Sequence, residues 1–185
     1  MRLFAETGYA AATNPAIAEA SGLTRGAMLY HFATREALVD AAIDHIEAAR
    51  AALFEAAAQP APGVDAAEHA IDAYWDLLHT RPFLAFAELE SAARTDPMLR
   101  ERLAAAQASF DRAQVGDRFI SLAAQAGTDP RFQASRDLAR FLLEGLVRGS
   151  LTYDREARTE RLLKVLKRAV RMLNRKGAVQ ELWPE

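Results

Sequence analysis

The chain has 185 residues, of which 51% are hydrophobic, so it can bury a sizeable core and wholesale disorder is excluded. It contains no cysteine, which excludes disulfides, thiolate metal ligands and a cysteine nucleophile, and which fits a reducing compartment. Its formal net charge is −2, so a nucleic-acid partner would have to be recognised by a local site rather than by the overall charge.

The sequence shows no signal for a membrane or for export. No charge-free apolar segment approaches the roughly 20 residues that a membrane-spanning helix needs. Residues 1–10 lack the basic and apolar regions of a signal peptide. We therefore predict a cytoplasmic protein without a membrane partner.

Helix-forming residues dominate the chain, and no segment alternates apolar and polar residues as a half-buried strand would. Prolines follow plausible caps or turns at positions 15, 82, 97 and 130, where the first turn of a helix tolerates them. The sequence predicts an all-α fold with helices over 2–7, 15–21, 24–32, 35–58, 65–80, 82–94, 97–126, 136–153 and 155–176. Residues 59–63 are predicted to form a linker.

The short helices before Asp44 contain a helix-turn-helix pattern. Gly22 can end one helix in a left-handed conformation, and Thr24 can cap the next. Met28 and Phe32, four residues apart, are predicted to share the inward face of this second helix. A helix of about eight residues is roughly 12 Å long, which suits a DNA major groove about 12 Å wide.

The outward face of the second helix carries groups that could contact DNA. Arg25 can bond a guanine or a phosphate, and the small Gly26 and Ala27 allow close approach to the bases. The other candidates can donate to phosphates or cap the helices that point at them, and they are Thr13, Asn14, Thr24, Tyr30, His31 and Arg35. The spacing alone leaves open a helix pair that binds no DNA, with His31 as an ordinary surface histidine.

Three segments, FAETGYAAAT, IAEASGLTRGAMLYHF and TREALVDAA, resemble the DNA-binding domain of the TetR family of bacterial transcriptional regulators. The resemblance runs from Leu3 to about Asp44. It implies that Arg25, Gly26 and Ala27 read bases, and that phosphates are held by Thr13, Thr24, His31 and Arg35. The chain departs from the family in two places, because Leu29 stands where an aromatic residue is usual and Arg35 where lysine is commoner.

The resemblance also implies two domains. Residues 1–45 would be the DNA-binding domain, with a first helix that starts late and is truncated beside the family's. Residues 46–185 would bind an unknown small-molecule effector and form the homodimer.

Aromatic and polar side chains of the larger part are candidates for an effector pocket, although most would be core in a simpler interpretation. They are Tyr74, Trp75, His79, Phe83, Phe86, Glu90, Phe110, Phe119 and Phe141. Two apolar stripes with a glycine pair predict the dimer interface, through Leu138, Leu142, Gly145, Gly149, Leu162, Leu166, Ala169, Val170 and Leu173. A cationic stripe on the last helix is interpreted as a solvated face.

Patterns typical of enzymes are not found. The chain lacks a glycine-rich phosphate loop and a nucleophile elbow, and Asp76-x-x-His79 has no counterpart that would complete a di-iron site. We predict a dimeric, ligand-responsive TetR-like repressor that needs no cofactor and binds an operator in double-stranded DNA. The alternative is a helical small-molecule-binding or interaction protein whose N-terminal domain does not bind DNA.

Overall fold

The computed structural model describes residues 1–58, 62–117, 130–150, 152 and 156–174. Within these ranges the chain forms nine α-helices and no strand, which confirms the all-α prediction. The helices are α1 (Arg2–Ala11), α2 (Asn14–Ala20), α3 (Arg25–His31), α4 (Arg35–Ala57), α5 (Ala66–Leu78), α6 (Arg81–Ala93), α7 (Pro97–Asp117), α8 (Pro130–Gly149) and α9 (Glu156–Leu173). None of these described helices is long and apolar enough to cross a membrane.

Most helices lie where the sequence predicts them. α8 begins at Pro130 rather than at residue 136, because a proline in the first turn needs no backbone N–H donor and can open the helix. The predicted end of α7 at residue 126 and residues 59–61 of the predicted linker lie outside the described residues.

Gly8 interrupts the regular geometry of α1. Its φ of 80° and ψ of 169° are not helical, so the regular turns end at Thr7, where the sequence predicts the helix to end. A Cβ atom at this position would lie 3.3 Å from Oε2 of Glu88 on α6. The backbone conformation favours a glycine here, because side chains of L residues rarely adopt this φ.

The chain divides into two compact units. Unit 1 consists of Met1–Glu55 and His79–Gln114, and unit 2 of Ala56–Leu78 and Val115–Glu185. Packing therefore groups α6 and most of α7 with the N-terminal helices. The predicted boundary after residue 45 does not coincide with the boundary between these two units. It divides two predicted functions, and it stays a prediction.

Unit 1 contains a large core, in which α1 packs along α6. Val39, Ile43 and Ile46 enter it from α4 at helical spacing, so one stripe of α4 faces this core. Its buried members are Phe4, Ala12, Val39, Ile43, Ile46, Ala85, Phe86, Leu89, Ala93, Leu99 and Leu103.

A second, small core lies behind α3. Its buried members are Ala18, Met28 and Leu38, and the half-buried Ile17 and Phe32 pack against them. Each of α2, α3 and α4 supplies one buried residue, so this core fixes the three helices to one another.

Arg50 of α4 is buried within unit 1, with only 2% of its surface exposed. Its guanidinium carbon lies 3.8 Å from the ring centre of Phe86 and 4.3 Å from that of Phe110. Nη1 donates to Oε1 of Glu47 at 2.9 Å, and Nη2 donates to Oε1 of Gln107 at 3.1 Å. A charged group is accommodated in this interior because it has both acceptors and aromatic faces around it.

Unit 2 is built from α5, α8 and α9, which contact one another. Leu143 of α8 and Leu166 and Val170 of α9 are among its buried side chains. Polar bonds tie the helices together as well, since the Ser135 hydroxyl donates to Oδ1 of Asn174 at 2.8 Å.

Candidate nucleic-acid interface

The turn between α2 and α3 is set by Gly22. Its φ of 69° lies in the left-handed region, which lets the chain reverse after α2 without a Cβ clash. The Leu23 backbone N–H then donates to the Ala18 carbonyl at 2.9 Å and closes the turn. The angle between α2 and α3 therefore depends on one residue type at one position.

Three threonines cap the helices of this region. The hydroxyl oxygen of Thr24 accepts from the Ala27 N–H at 3.1 Å, so α3 begins at Arg25. Thr13 caps α2 and Thr34 caps α4 in the same way. Thr13 and Thr24 are exposed, and the proton of each hydroxyl remains a donor that a phosphate could accept.

The outward face of α3 presents a cation, a small-residue gap and two polar rings. Arg25 and Gly26 are exposed, and a Cβ atom at Gly26 would meet only the Thr24 hydroxyl oxygen, at 4.0 Å. Tyr30 is 87% exposed, and its ring contacts that of His31 edge-on, with centroids 5.4 Å apart. These groups are available to a partner, because Met28 supplies the packing that holds α3 in place.

Arg35 and Asn14 are placed differently from the exposed residues of α3. The Arg35 guanidinium is half-buried and donates to the Tyr9 and Ala12 carbonyls and to Oδ1 of Asn14. Its predicted contact with a phosphate stays a prediction, but its donors already serve acceptors of the same chain.

Charges near α3 are close to balanced. Glu19 is exposed on α2, and Glu36 is exposed at the start of α4. Bonds from its own backbone N–H and from the Thr34 hydroxyl lower the pKa of Glu36, so its carboxylate stays ionised. The exposed charges around α3 therefore include carboxylates as well as the Arg25 cation.

The described candidates for the effector pocket are divided between the two units. Phe83, Phe86 and Phe110 are buried around Arg50 in unit 1, whereas the Tyr74 hydroxyl donates to Oε1 of Glu144 at 2.9 Å in unit 2. Trp75 and Glu90 are half-buried and His79 is exposed, so the remaining candidates differ in accessibility as well. Phe119 lies outside the described residues.

Phe141 is 66% exposed, and its place in an effector pocket stays a prediction. Its neighbour on the helix surface, Leu138, is also exposed. On α9 the exposed large apolar residues are Val165 and Met172. We call these four exposed residues of two neighbouring helices the α8–α9 apolar face.

The predicted dimer interface stays a prediction, and its residues differ in exposure. Leu166 and Val170 are buried inside unit 2, so they have little surface left to give to a second copy. The sequence stripe that contains them is the inward side of α9. Gly145 is exposed, and a Cβ atom there would meet nothing within 4 Å, whereas Leu142, Gly149, Leu162, Ala169 and Leu173 are half-buried.

Arg50 was not among the sequence-predicted site residues. A signal was present, because Arg50 continues the stripe of Val39, Ile43 and Ile46 at helical spacing. A charged residue in register with an apolar stripe is a candidate for a buried, partnered charge.

The fold and the exposed face of α3 define a helical protein with a helix-turn-helix DNA-binding domain. Residues 1–42 match the model of the family described as bacterial regulatory proteins, tetR family. The chain is also similar to a crystal structure of a Rhodococcus sp. protein assigned to the TetR-family transcriptional regulators, with 23% identity, 93% of each chain covered and a TM-score of 0.65. No curated protein matches the chain.

The structural likeness establishes the fold, and the family match identifies the N-terminal domain. The resemblance seen between Leu3 and Asp44 is therefore confirmed. Residues 1–42 therefore carry a DNA-binding domain of the TetR type, and the chain shares the fold of the Rhodococcus sp. protein.

Proposed function

We propose that this protein is a homodimeric repressor that leaves its operator when a small molecule binds. The observation that carries the DNA-binding part is the outward face of α3, where exposed Arg25 stands beside Gly26 at the capped start of the helix. A bacterial regulator of this kind acts in the cytoplasm, where the chromosome lies.

The predicted contact residues on and around α2 and α3 have the following roles in this proposal. Arg25 reads a base edge, and Gly26 and Ala27 let the backbone approach the groove. The hydroxyls of Thr13, Thr24 and Tyr30, the His31 ring and the Asn14 amide donate to phosphates on either side of the groove.

The test of this part is selection of duplexes from a random-sequence pool, followed by a gel shift with the selected duplex and with DNA flanking the gene. Arg25→Ala should weaken binding to the selected duplex by about 1–3 kcal/mol and relax the base preference at one position of the site. An unchanged preference would assign Arg25 to phosphate contact. If the wild-type protein binds no duplex, the alternative of a helical protein that does not bind DNA is supported instead.

The α8–α9 apolar face supports a homodimer as the working form. Exposed large apolar residues that lie on two adjacent helices are typical of surfaces that a partner covers. A second copy suits this surface, because two DNA-binding domains could then contact half-sites about 34 Å apart.

Phe141→Glu and Val165→Glu should therefore give monomers in sedimentation, with operator affinity lost as well. The matched control is Met98→Glu on α7, because Met98 is 62% exposed but is not part of this face. A full dimer in both test variants would place the interface elsewhere.

The effector part of the proposal is supported by half-buried polar groups in unit 2. Oε1 of Glu144 accepts from the Tyr74 hydroxyl at 2.9 Å and from Nε of Arg140 at 2.9 Å. Polar groups that bond to one another inside this helical unit can instead form hydrogen bonds with a bound molecule. A compound library screened by thermal shift should yield a ligand that raises the Tm of the protein and weakens its binding to the selected duplex. A ligand that raises Tm and leaves DNA affinity unchanged would contradict release by an effector.

A further inference from the structure

The guanidinium of Arg35 bonds to three acceptors that precede it in the chain. Nη1 lies 2.6 Å from the Ala12 carbonyl oxygen and 3.2 Å from Oδ1 of Asn14. Nη2 lies 3.3 Å from the Tyr9 carbonyl oxygen. The guanidinium carbon also lies over the Tyr9 ring, 5.1 Å from its centre.

These acceptors occupy the corner between α1 and α2. Tyr9 follows the break at Gly8, Ala12 ends α1, and Asn14 is the first residue of α2. The last turn of α1 has no basic residue of its own. The Arg35 guanidinium therefore donates the hydrogen bonds that the carbonyls at the end of α1 accept. One side chain at the start of α4 therefore joins the end of α1 to the beginning of α2.

This arrangement depends on the planar, forked shape of arginine. A lysine ammonium keeps the charge, but it cannot present two nitrogens to acceptors at separate positions while stacking on a ring. The two hydrogens of Nη1 are directed to the Ala12 carbonyl and to Asn14, so they are not available to a phosphate at the same time.

We infer that Arg35 is a positioning residue of the DNA-binding domain, because three of its five N–H donors hold α2 and the side chain of Asn14 in place. The inference rests on the proposed DNA-binding function. Because Oδ1 of Asn14 accepts from Arg35, the amide nitrogen is the donor that remains for a phosphate. α2 is in turn fixed to α3 through Ala18 and Met28, so the orientation of the α3 face also depends on Arg35.

The first experiment separates positioning from phosphate contact by the salt dependence of binding. Affinity for the duplex selected by the wild-type protein is measured over a range of salt concentrations for Arg35→Lys and Arg35→Ala. A positioning role predicts that both variants lose affinity by about tenfold or more, the size expected from lost charged hydrogen bonds, with the slope of log K against log salt unchanged. The outcome that overturns the inference is wild-type affinity in Arg35→Lys together with a slope reduced by about 0.9 in Arg35→Ala.

The second experiment uses the protein without DNA. Hydrogen exchange at the Thr13 and Ile17 amides, which donate to the Ala11 and Thr13 carbonyls, should be faster in both variants. Amides around Leu89 in the large core serve as the internal control. Unchanged exchange at Thr13 and Ile17 in both variants overturns the inference. If the wild-type protein binds no duplex, the proposed function fails, and this measurement still decides the role of Arg35.

Discussion

The small core behind α3 and the large core of unit 1 differ in how much apolar surface they bury. The small core has three buried members, Ala18, Met28 and Leu38, whereas the large core draws buried residues from α1, α4, α6 and α7. Fixing each residue of the backbone costs about 1–2 kcal/mol of conformational entropy, so three buried side chains cannot stabilise the DNA-binding helices alone.

The stability of the DNA-binding helices must therefore come in part from the large core. Ile17 packs against both cores, and Leu38 and Val39 are consecutive residues of α4 that enter different cores. The comparison indicates that the helices that contact DNA are a weakly packed extension of a strongly packed unit.

Arg50→Ala should have the largest effect, because it removes the charged group on which three aromatic rings and two polar partners converge. Breaking a buried charged network of this kind costs about 3–5 kcal/mol. Chemical denaturation measures the loss. Arg50→Met is the control, because an apolar chain of similar length should cost much less. Equal losses in the two variants would show that volume, rather than the network, matters at this position.

Leu89→Ala and Met28→Ala compare the two cores directly, since both side chains are fully buried. Each should cost about 2–5 kcal/mol, with Met28→Ala at the lower end because its small core can collapse into the space. Hydrogen exchange distinguishes them further. Met28→Ala should speed exchange in α2 and α3 only, whereas Leu89→Ala should speed it throughout unit 1. Exchange raised equally everywhere by Met28→Ala would show that the two cores unfold as one.

Gly22→Ala and Gly26→Ala form a matched pair with opposite expected signs. Gly22 has a φ of 69°, so alanine should lower stability by about 1 kcal/mol. Gly26 is helical with open space around it, so alanine should raise stability by up to about 1 kcal/mol. The same Gly26→Ala change should weaken DNA binding, because it adds a methyl group to the face that approaches the bases. Thermal unfolding measures the change in stability, and a gel shift measures the change in DNA binding. A loss of stability in both variants would contradict the different backbone conformations assigned to Gly22 and Gly26.

Glu47→Gln should have the smallest effect, and one that depends on pH. Burial raises the pKa of Glu47 above its usual value of 4.5, although Arg50 acts against this. The folded state then binds the proton more tightly than the unfolded state, so this carboxyl contributes stability at low pH that is lost as pH rises above 4.5. The Tm of the variant should therefore improve relative to wild type between about pH 4 and about pH 7. A difference in Tm that is flat over this range would contradict the prediction.

The parts of the fold that depend on neighbouring residues could be predicted from the sequence. The turn at Gly22 and the cap at Thr24 depend on interactions within five residues, and the inward position of Met28 was predicted from its helical spacing to Phe32. These signals also sufficed for the resemblance that the family match confirms. The helical character of the remaining chain followed from composition and from proline positions.

The parts that depend on distant residues could not be predicted. Arg35 bonds to backbone carbonyls more than 20 residues earlier, and a carbonyl carries no side-chain signal that a sequence pattern could show. The sequence shows that one stripe of α9 is apolar, and this stripe faces the interior of unit 2. Val165 and Phe141 show that apolar residues also lie on the exposed surfaces of α9 and α8. Which of two apolar stripes faces a partner depends on the packing of α5, α8 and α9, and the helix period cannot decide it.

The two cores that meet on α4 restrict how this protein can change in length. One residue inserted between Leu38 and Val39 would rotate everything beyond it by about 100° and shift it by about 1.5 Å. Ile43 and Ile46 would then turn away from their core whenever Leu38 stayed in its own. Substitutions on α3 can alter which DNA sequence is bound, whereas the fold should not tolerate insertions or deletions between Leu38 and Val39 of α4. Chimeras that exchange DNA-binding helices between such proteins should therefore be joined within α4 without adding or removing a residue.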